Sequence, residues 1–354
     1  MTSARVAARQ TVADLGEFGL IDRIKGMLPR GNDRVALGIG DDTAALKTSP
    51  GMLLLATCDI QVEGRHFRLE HISPHQLGRR SAAINLSDIA AMGGSPTYAL
   101  VSLALPQTTE VAWVDELYRG LGDELGAHGA LVVGGNLSGS ARDVVIDITL
   151  MGEVAEPLLL RRDGARSGDA VLVTGWLGES LLGRLALERG LDSTTPAAAR
   201  VIEAHLTPTP RVREGQAVAA RKGATAMIDI SDGLAADLGH ICSDSGVGAR
   251  LVAGALPVSP EAREVAANLG VDAIEAALHG GEDYELLFTC PADEAERTAA
   301  DVVAATGTPV ARVGEIVRGE GIELVTSDGS RSSVEPRGWD HFATVEGGLK
   351  PPST

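Results

Sequence analysis

Acidic turns that interrupt apolar segments are the feature that most constrains this chain. They stand in Gly40-Asp41-Asp42, Cys58-Asp59, Asn85-Leu86-Ser87-Asp88 and Asp229-Ile230-Ser231-Asp232-Gly233. Each turn lies where an apolar segment stops or pauses. Clustered carboxylates repel one another unless a positive species lies between them. Mg²⁺ is the cation we expect, because it takes oxygen ligands and brings phosphates with it, and this pattern therefore indicates a Mg²⁺-nucleotide enzyme.

The apolar residues of the chain predict an α/β (α+β) fold. Hydrophobic residues make up 44% of the 354 residues, but aromatic residues only 3%. A core of Ala, Val, Leu and Ile suits packed helix and sheet layers better than an aromatic-rich β-sandwich. Residues 152–163 contain a proline and a shift to basic residues. We therefore predict two α/β domains, residues 1–154 and 155–354.

Apolar periodicity predicts helices and strands in both halves of the chain. The predicted helices span residues 16–28, 77–92, 111–125, 178–187 and 234–242. The predicted strands span residues 52–57, 98–105, 130–133, 144–151, 170–174, 226–230, 285–289 and 310–317.

Charge and cysteine usage exclude several classes of partner. The net charge is −17 and no basic face is visible, which argues against nucleic-acid binding. No apolar run approaches the ~20 residues that span a bilayer, so we expect no membrane insertion. Residues 1–10 are polar and do not resemble a signal peptide. Cys58, Cys242 and Cys290 are far apart in sequence, which fits a reducing cytoplasm.

The common nucleotide-binding motifs are missing from the sequence. None of the four lysines follows a glycine, so there is no Gly-Lys-Ser/Thr phosphate loop. Gly38-Ile39-Gly40 lacks the third glycine of a dinucleotide fingerprint. ATP binding by this chain therefore requires a different kind of phosphate site.

Asp88 is the only charged residue between Ser81 and Pro96. A helix this apolar is expected to be buried, where an unpaired carboxylate is costly. Asn85 lies one turn earlier on the same face. A metal ion explains this pattern, and a buried arginine partner is the alternative.

Three further turns allow both a structural and a functional interpretation. Ser231 or Asp232 is suited to cap the following helix, or to hold a metal-bound phosphate at its N-terminus. The glycines of Gly134-Gly135-Asn136 and of Gly280-Gly281-Glu282 suit either ordinary turns or close approach to a ligand.

Together these segments resemble the thiamine-monophosphate kinase family over about residues 16–342. The resemblance rests on GIGDDTA at 38–44, VEGRHF at 62–67, NLSDIAAMGGSP at 85–96, GGN at 134–136, RRDGARSGD at 161–169, IDISDGLAADLGHI at 228–241, GGEDYEL at 280–286 and GWDHF at 338–342. It implies ATP-dependent phosphorylation of thiamine monophosphate to thiamine diphosphate. It also implies a two-domain fold like that of aminoimidazole ribonucleotide synthetase, in which the N-terminal domains pair in a homodimer.

The same resemblance implies a set of site residues. Its catalytic aspartates are Asp42, Asp88, Asp229 and Asp232. The implied Mg²⁺ ligands are Asp42, Thr57, Cys58, Asp59, Asp88, Asn136, Asp229 and Asp232. ATP is expected at Gly135, Asn136, Arg162 and Ser231, and thiamine monophosphate at His66, Glu282 and Trp339.

The chain departs from the family at two of these positions. The family has Asp where this chain has Asn136, and Thr where it has Cys58. Asn136 keeps one ligand oxygen but loses a charge, so we expect Mg²⁺ binding weakened by about 10–100-fold. Thiols are poor Mg²⁺ ligands, so the change to Cys58 matters little if the ligand at this position is a backbone oxygen.

Two alternative functions stay open at the level of sequence. One is another ATP-dependent enzyme of the same superfamily, such as a selenophosphate or purine-pathway synthetase. The other is a degenerate Mg-ATP-binding protein with weak turnover, which the change to Asn136 would explain.

Overall fold

The computed structural model describes residues 10–29, 32–39 and 44–336, and these form ten α-helices and thirteen strands. The helices are α1 (Val12–Met27), α2 (Pro74–Ala91), α3 (Val111–Ala127), α4 (Glu179–Glu188), α5 (Pro196–Leu206), α6 (Val212–Arg221), α7 (Leu234–Ser245), α8 (Pro260–Leu269), α9 (Ala273–His279) and α10 (Ala295–Thr306). The strands are β1 (Val35–Leu37), β2 (Ala45–Leu46), β3 (Met52–Val62), β4 (Ser95–Pro106), β5 (Leu131–Ser140), β6 (Val145–Ala155), β7 (Asp169–Thr174), β8 (Ala226–Asp229), β9 (Gly248–Val252), β10 (Leu286–Pro291), β11 (Val310–Val317), β12 (Ile322–Val325) and β13 (Arg331–Val334).

The chain divides into two compact units that alternate along the sequence. Unit 1 comprises residues 1–49, 56–85 and 96–151, and unit 2 comprises residues 50–55, 86–95 and 152–354. The single domain boundary after residue 154 that the sequence suggests stays a prediction.

A four-stranded sheet of order β3-β6-β4-β5 carries much of unit 1. Strand β4 runs parallel to β5, and Ser102 lies opposite Asn136 in their register. Residues on β6 alternate between buried and half-buried positions, as expected for a strand with one face on the core. On β6, one face of this sheet is therefore buried and the other is half-buried.

Helix α2 is buried along almost its whole length. Leu77 and Leu86 are completely buried, and Ile89 is 1% exposed. The prediction of a buried apolar helix around Asp88 is confirmed, and Asp88 itself is half-buried.

The core of unit 2 is a seven-stranded sheet of order β13-β12-β9-β11-β7-β10-β8. Strand β10 lies between β7 and β8 and is antiparallel to both. In this register Leu286, at the start of β10, lies opposite Asp229, at the end of β8. The segment before β10 and the segment after β8 therefore leave the sheet side by side.

Several predicted elements differ from the structure at their ends; β5, for example, continues to Ser140, whereas its predicted strand ends at residue 133. Strand β3 continues to Val62. Asp59 and Gln61 do not end it, because each takes its place in the alternating pattern of an extended strand. Helix α1 begins at Val12, four residues before its predicted start. A capping box between Thr11 and Asp14 forms this start, and Gly16 then kinks the helix with a φ of 72°.

None of the helices in the described part of the chain combines the length and apolar character that a membrane span requires.

Candidate functional site

The predicted site residues are distributed over both units. Unit 1 contains Thr57, Cys58, Asp59, His66, Gly135 and Asn136. Unit 2 contains Asp88, Arg162, Asp229, Ser231, Asp232 and Glu282. Asp42 and Trp339 lie outside the described residues. The two groups are therefore described separately.

The Cys58 side chain is held by residues of the neighbouring strand. Its thiol donates to Oδ1 of Asp147 at 3.1 Å, and the hydroxyl of Thr149 donates to its sulfur at 3.6 Å. The hydrogen bond to Asp147 is the main reason that the pKa of the Cys58 thiol is raised. Because the protonated thiol is already engaged, this side chain is unsuited to bind Mg²⁺, which agrees with a backbone ligand at this position.

His66 lies in the turn that follows β3. Its Nδ1 accepts a hydrogen bond of 3.0 Å from the backbone N–H of Val62. An imidazole that accepts at Nδ1 is neutral and carries its proton on Nε2. The turn itself is tied to the sheet, because the N–H of Glu63 donates to the Val144 carbonyl at 2.9 Å. His66 is thus a fixed donor, suited to a phosphate or hydroxyl oxygen.

Gly135 and Asn136 follow the buried start of β5. A Cβ atom at Gly135 would lie 1.9 Å from the Val101 carbonyl oxygen, so only glycine fits beside β4. The side chain of the next residue, Asn136, is exposed. The glycine requirement here is explained by the packing of two strands, whether or not a ligand also approaches.

Asp229 is a buried carboxylate at the end of β8. It is 6% exposed, and its Oδ2 accepts a hydrogen bond of 2.7 Å from the hydroxyl of Ser87. Ser87 immediately precedes Asp88 in α2. The structure therefore brings together two of the acidic turns that the sequence singles out. Their aspartates, Asp88 and Asp229, are 141 residues apart in the chain.

The loop after Asp229 is organised by a carboxylate that the sequence analysis missed. Oδ2 of Asp237 accepts hydrogen bonds from the backbone N–H groups of Ser231, Asp232 and Gly233, at 3.0, 3.1 and 3.1 Å. The N-cap of α7 is Gly233, so the structural alternative that Ser231 or Asp232 caps this helix is wrong. These three N–H groups donate to the carboxyl group of Asp237, so they are already engaged within the protein.

The surroundings of the Asp237 side chain disfavour its charged form. Burial, followed by repulsion from Asp232, raises its pKa to about 7. The same rule that singled out Asp88 would have found it, because Asp237 is the one charged residue in the apolar run from Leu234 to Ile241.

The segment that contains Glu282 is bonded directly to the Asp229 loop. The N–H of Glu282 donates to the Ser231 carbonyl at 2.7 Å, and the N–H of Tyr284 donates to the Ile230 carbonyl at 2.9 Å. A Cβ atom at Gly281 would lie 2.6 Å from the same Ser231 oxygen, so glycine is required there. The residue predicted to bind the acceptor thus lies beside residues predicted to bind ATP and metal.

A buried ion pair fixes the start of β10. Arg211 donates to both carboxylate oxygens of Glu285, with its Nε at 2.7 Å and its Nη2 at 2.5 Å. Thr174 donates to the same carboxylate at 2.6 Å. Burial lowers the pKa of Arg211, but the charge and hydrogen bonds of Glu285, together with the charges of Glu214 and Glu179, raise it by more, so the net pKa is raised. Both groups are fully engaged, which is typical of a structural pair.

Arg162 is engaged by an acidic neighbour. Its Nε donates to Oδ2 of Asp244 at 2.6 Å, while 53% of its side chain is exposed. The guanidinium therefore keeps exposed donors besides Nε. This arrangement is compatible with a phosphate contact and also with a surface ion pair alone.

The oxygen-rich residues present fit Mg²⁺ by their chemistry. Carboxylates and an amide oxygen are hard ligands, which are the kind that Mg²⁺ takes. Within residues 10–29, 32–39 and 44–336, no three His, Cys, Asp or Glu side chains already converge on one point. The predicted ligand set also uses Asp42, Thr57 and Asn136, so the metal assignment stays a prediction.

Comparison with known proteins gives a consistent result. The family model of the AIR synthase related protein, N-terminal domain, matches residues 40–154, and that of the C-terminal domain matches residues 166–327. The chain is 40% identical over 329 residues to the thiamine-monophosphate kinase of Aquifex aeolicus (strain VF5), covering 93% of this chain and 99% of that protein.

Two solved structures are similar over nearly the whole chain. The thiamine-monophosphate kinase of Stenotrophomonas maltophilia K279a has 35% identity and a TM-score of 0.79, covering 89% of this chain and 97% of that one. A structure of AaThiL complexed with AMPPCP and TMP has 38% identity and a TM-score of 0.74, covering 95% of this chain and 100% of that one.

Proposed function

The chain belongs to the thiamine-monophosphate kinase family of AIR synthase-related proteins, and we propose that it phosphorylates thiamine monophosphate with ATP, giving thiamine diphosphate and ADP. This reaction would be the last step in making thiamine diphosphate. The relative bound to AMPPCP and TMP supports both substrates, because it aligns with 95% of this chain.

One hydrogen bond is the main structural support for this proposal. The 2.7 Å bond from the N–H of Glu282 to the carbonyl of Ser231 holds a predicted acceptor-binding residue next to a predicted ATP-binding residue. Phosphoryl transfer depends chiefly on positioning and on charge neutralisation, so donor and acceptor sites must be adjacent.

Different residues of the chain would have different roles in such a reaction. Asp229 is oriented by Ser87, and the loop from Ser231 to Gly233 is fixed by Asp237. Arg162 offers positive charge to phosphate oxygens. The acceptor is itself a phosphate oxygen, so no strong general base is required. Glu282 offers a carboxylate to the cationic thiazolium of the substrate.

Magnesium would be held by hard oxygen ligands, and it would neutralise the charge of the two mutually repelling phosphates. The proposed ligands are the side chains of Asp42, Thr57, Asp59, Asp88, Asn136, Asp229 and Asp232, with the backbone oxygen of Cys58.

Trp339 is proposed to stack on the substrate's cationic ring. It lies outside the described residues, so the proposal rests on the resemblance of its motif. A Trp339→Ala variant should raise the KM for thiamine monophosphate more than the KM for ATP. Equal effects on both would argue against a tryptophan that faces this substrate.

We propose that two copies of the chain pair through β3 and the sheet that it borders. Four of the eight large apolar side chains that are exposed among the described residues lie on this edge strand, namely Met52, Leu53, Leu54 and Ile60. An exposed apolar edge strand is suited to a symmetric partner. Light scattering should give a dimer mass for wild type and for the control Val252→Lys, but a monomer mass for Leu54→Lys/Ile60→Lys. A monomeric wild type would contradict this proposal.

We further propose a cytoplasmic location, which the three free cysteines support. We also propose that residues 1–154 and 155–354 act as the two functional domains.

The test of the proposed function is turnover of thiamine monophosphate with ATP across a Mg²⁺ titration, with thiamine diphosphate and ADP measured together. Equal amounts of both products would support it. ADP without thiamine diphosphate would favour another acceptor within the same superfamily. ATP binding without turnover at high Mg²⁺ would favour a degenerate kinase.

A further inference from the structure

Glu282 has a backbone conformation that non-glycine residues rarely adopt. Its φ is +67°, and that of Tyr284, two residues later, is +51°. Such residues persist where surrounding contacts over-determine them, and they concentrate at functional sites. The hydrogen bonds from the Glu282 and Tyr284 N–H groups to the Asp229 loop supply part of that constraint.

The rest of the constraint comes from a closed ring of contacts within unit 2. The Asp283 carboxylate accepts hydrogen bonds from the N–H of Ser180 at 3.1 Å and from that of Gly178 at 2.6 Å. The Ser180 hydroxyl is 3.0 Å from Nδ1 of His205, and the same Nδ1 is 3.8 Å from Oε2 of Glu282. Because Glu282 and Asp283 are consecutive residues, these contacts form a closed ring.

The ring makes the Glu282 side chain different from an ordinary surface carboxylate. His205 is 8% exposed and Ser180 is 1% exposed, so the imidazole is fixed by a buried hydroxyl. The Glu282 side chain remains 31% exposed. One oxygen of this partly exposed carboxylate therefore faces a rigid imidazole.

We propose that His205 is a positioning residue that orients the Glu282 carboxylate and so sets the affinity for the cationic acceptor substrate. This inference rests on the proposed function, because it takes Glu282 as the residue that meets thiamine monophosphate. Ser180 supports His205 from the buried side. If His205, on α5, only filled the core, it would stabilise the fold without affecting the KM for one substrate more than that for the other.

The test compares two His205 variants with a packing control on the same helix. His205→Leu removes both polar contacts, whereas His205→Asn keeps an amide near the position of Nδ1. Leu206→Ala removes buried apolar volume from α5 without removing the imidazole. Steady-state kinetics with each substrate varied in turn gives the KM for thiamine monophosphate and for ATP, and thermal unfolding gives the loss of stability.

We expect His205→Leu to raise the KM for thiamine monophosphate about tenfold, the size typical of one lost interaction with a charged group. The KM for ATP should change less than about twofold, and His205→Asn should recover most of the loss. Equal changes in both KM values, or the same KM change in Leu206→Ala at equal loss of stability, would overturn the inference.

A second measurement separates this inference from the proposed function. If the wild-type protein makes no thiamine diphosphate, the proposed function fails, and crystal structures of wild type and His205→Leu then decide the inference. A Glu282 carboxylate that rotates away from its wild-type position in the variant would support a positioning role. An unmoved carboxylate would overturn it.

Discussion

The hydroxyl of Ser87 donates a 2.7 Å hydrogen bond to Oδ2 of Asp229, and it joins helix α2 to the end of strand β8. Ser87 is completely buried and Asp229 nearly so. The bond thus fixes one oxygen of a predicted metal ligand inside the protein, while the residue after Ser87 is the predicted ligand Asp88.

Loss of this bond should slow the reaction without unfolding the protein. We expect Ser87→Ala to lower kcat by roughly tenfold or more, because a hydrogen bond to a charged group contributes about 1.5–3 kcal/mol. Ser81→Ala is the matched control, since Ser81 is equally buried on α2 and its hydroxyl donates to the Leu77 carbonyl of the same helix. Equal activity of the two variants would show that the Asp229 orientation does not matter.

Asp88 is expected to be essential for turnover. Asp88→Ala removes a half-buried carboxylate from the predicted metal site, so activity should be abolished while the thermal unfolding temperature stays near that of wild type. Asp123→Ala, on the exposed side of α3, should remain active. A fully active Asp88→Ala variant would show that Asp88 is not an essential metal ligand.

The residue at position 136 is expected to set the Mg²⁺ requirement. Asn136 is exposed on β5, so Asp fits in its place without a steric clash, and it adds the negative charge that the family resemblance implies at this position. Asn136→Asp should lower the Mg²⁺ concentration for half-maximal rate by about 10–100-fold. Ser138→Asp adds the same charge two residues further along the strand and controls for a general charge effect. An unchanged titration would exclude a ligand at position 136.

Asp237 should make the stability of the metal-free protein depend on pH. Its pKa is raised to about 7 in the folded state, while an unfolded aspartate titrates near pH ~4. The folded protein therefore binds more protons between these values, so the free energy of unfolding falls as the pH rises from about 4 to about 7. Denaturant titrations should show a steeper fall for wild type than for Asp237→Asn, with the exposed Asp293→Asn behaving like wild type. Parallel pH profiles for wild type and Asp237→Asn would contradict this.

Cys58 should react slowly with thiol reagents in the Leu54→Lys/Ile60→Lys background, which is expected to be monomeric and so leaves this face of β3 exposed. Cys242 and Cys290 are buried, so labelling of the native protein reports Cys58. The hydrogen bond to Asp147 raises the pKa of this thiol, and only the thiolate is nucleophilic. Asp147→Asn should accelerate labelling at pH 8 several-fold, and Asp143→Asn should not. Equal rates in all three proteins would show that Asp147 does not hold the thiol.

Local pattern was enough to predict the fold class and several elements. The α/β class and the AIR synthase-related family are confirmed, because low aromatic content, apolar periodicity and ordered motifs all act at short range along the chain. Helix α2, with a lone aspartate in an apolar run, is an example: hydrophobic burial determines such a helix whatever it packs against.

Only the tertiary structure decided which polar groups meet. Ser87 reaches Asp229 across 142 residues, and His205 lies beside Glu282 across 77. The sequence names Asp229 and Glu282 but not their partners, because the pairing depends on strand register and helix packing, which have no local signal. Asp237 shows the same limit. Its isolated charge is visible in the sequence, but that it binds three backbone N–H groups depends on how the loop folds around it.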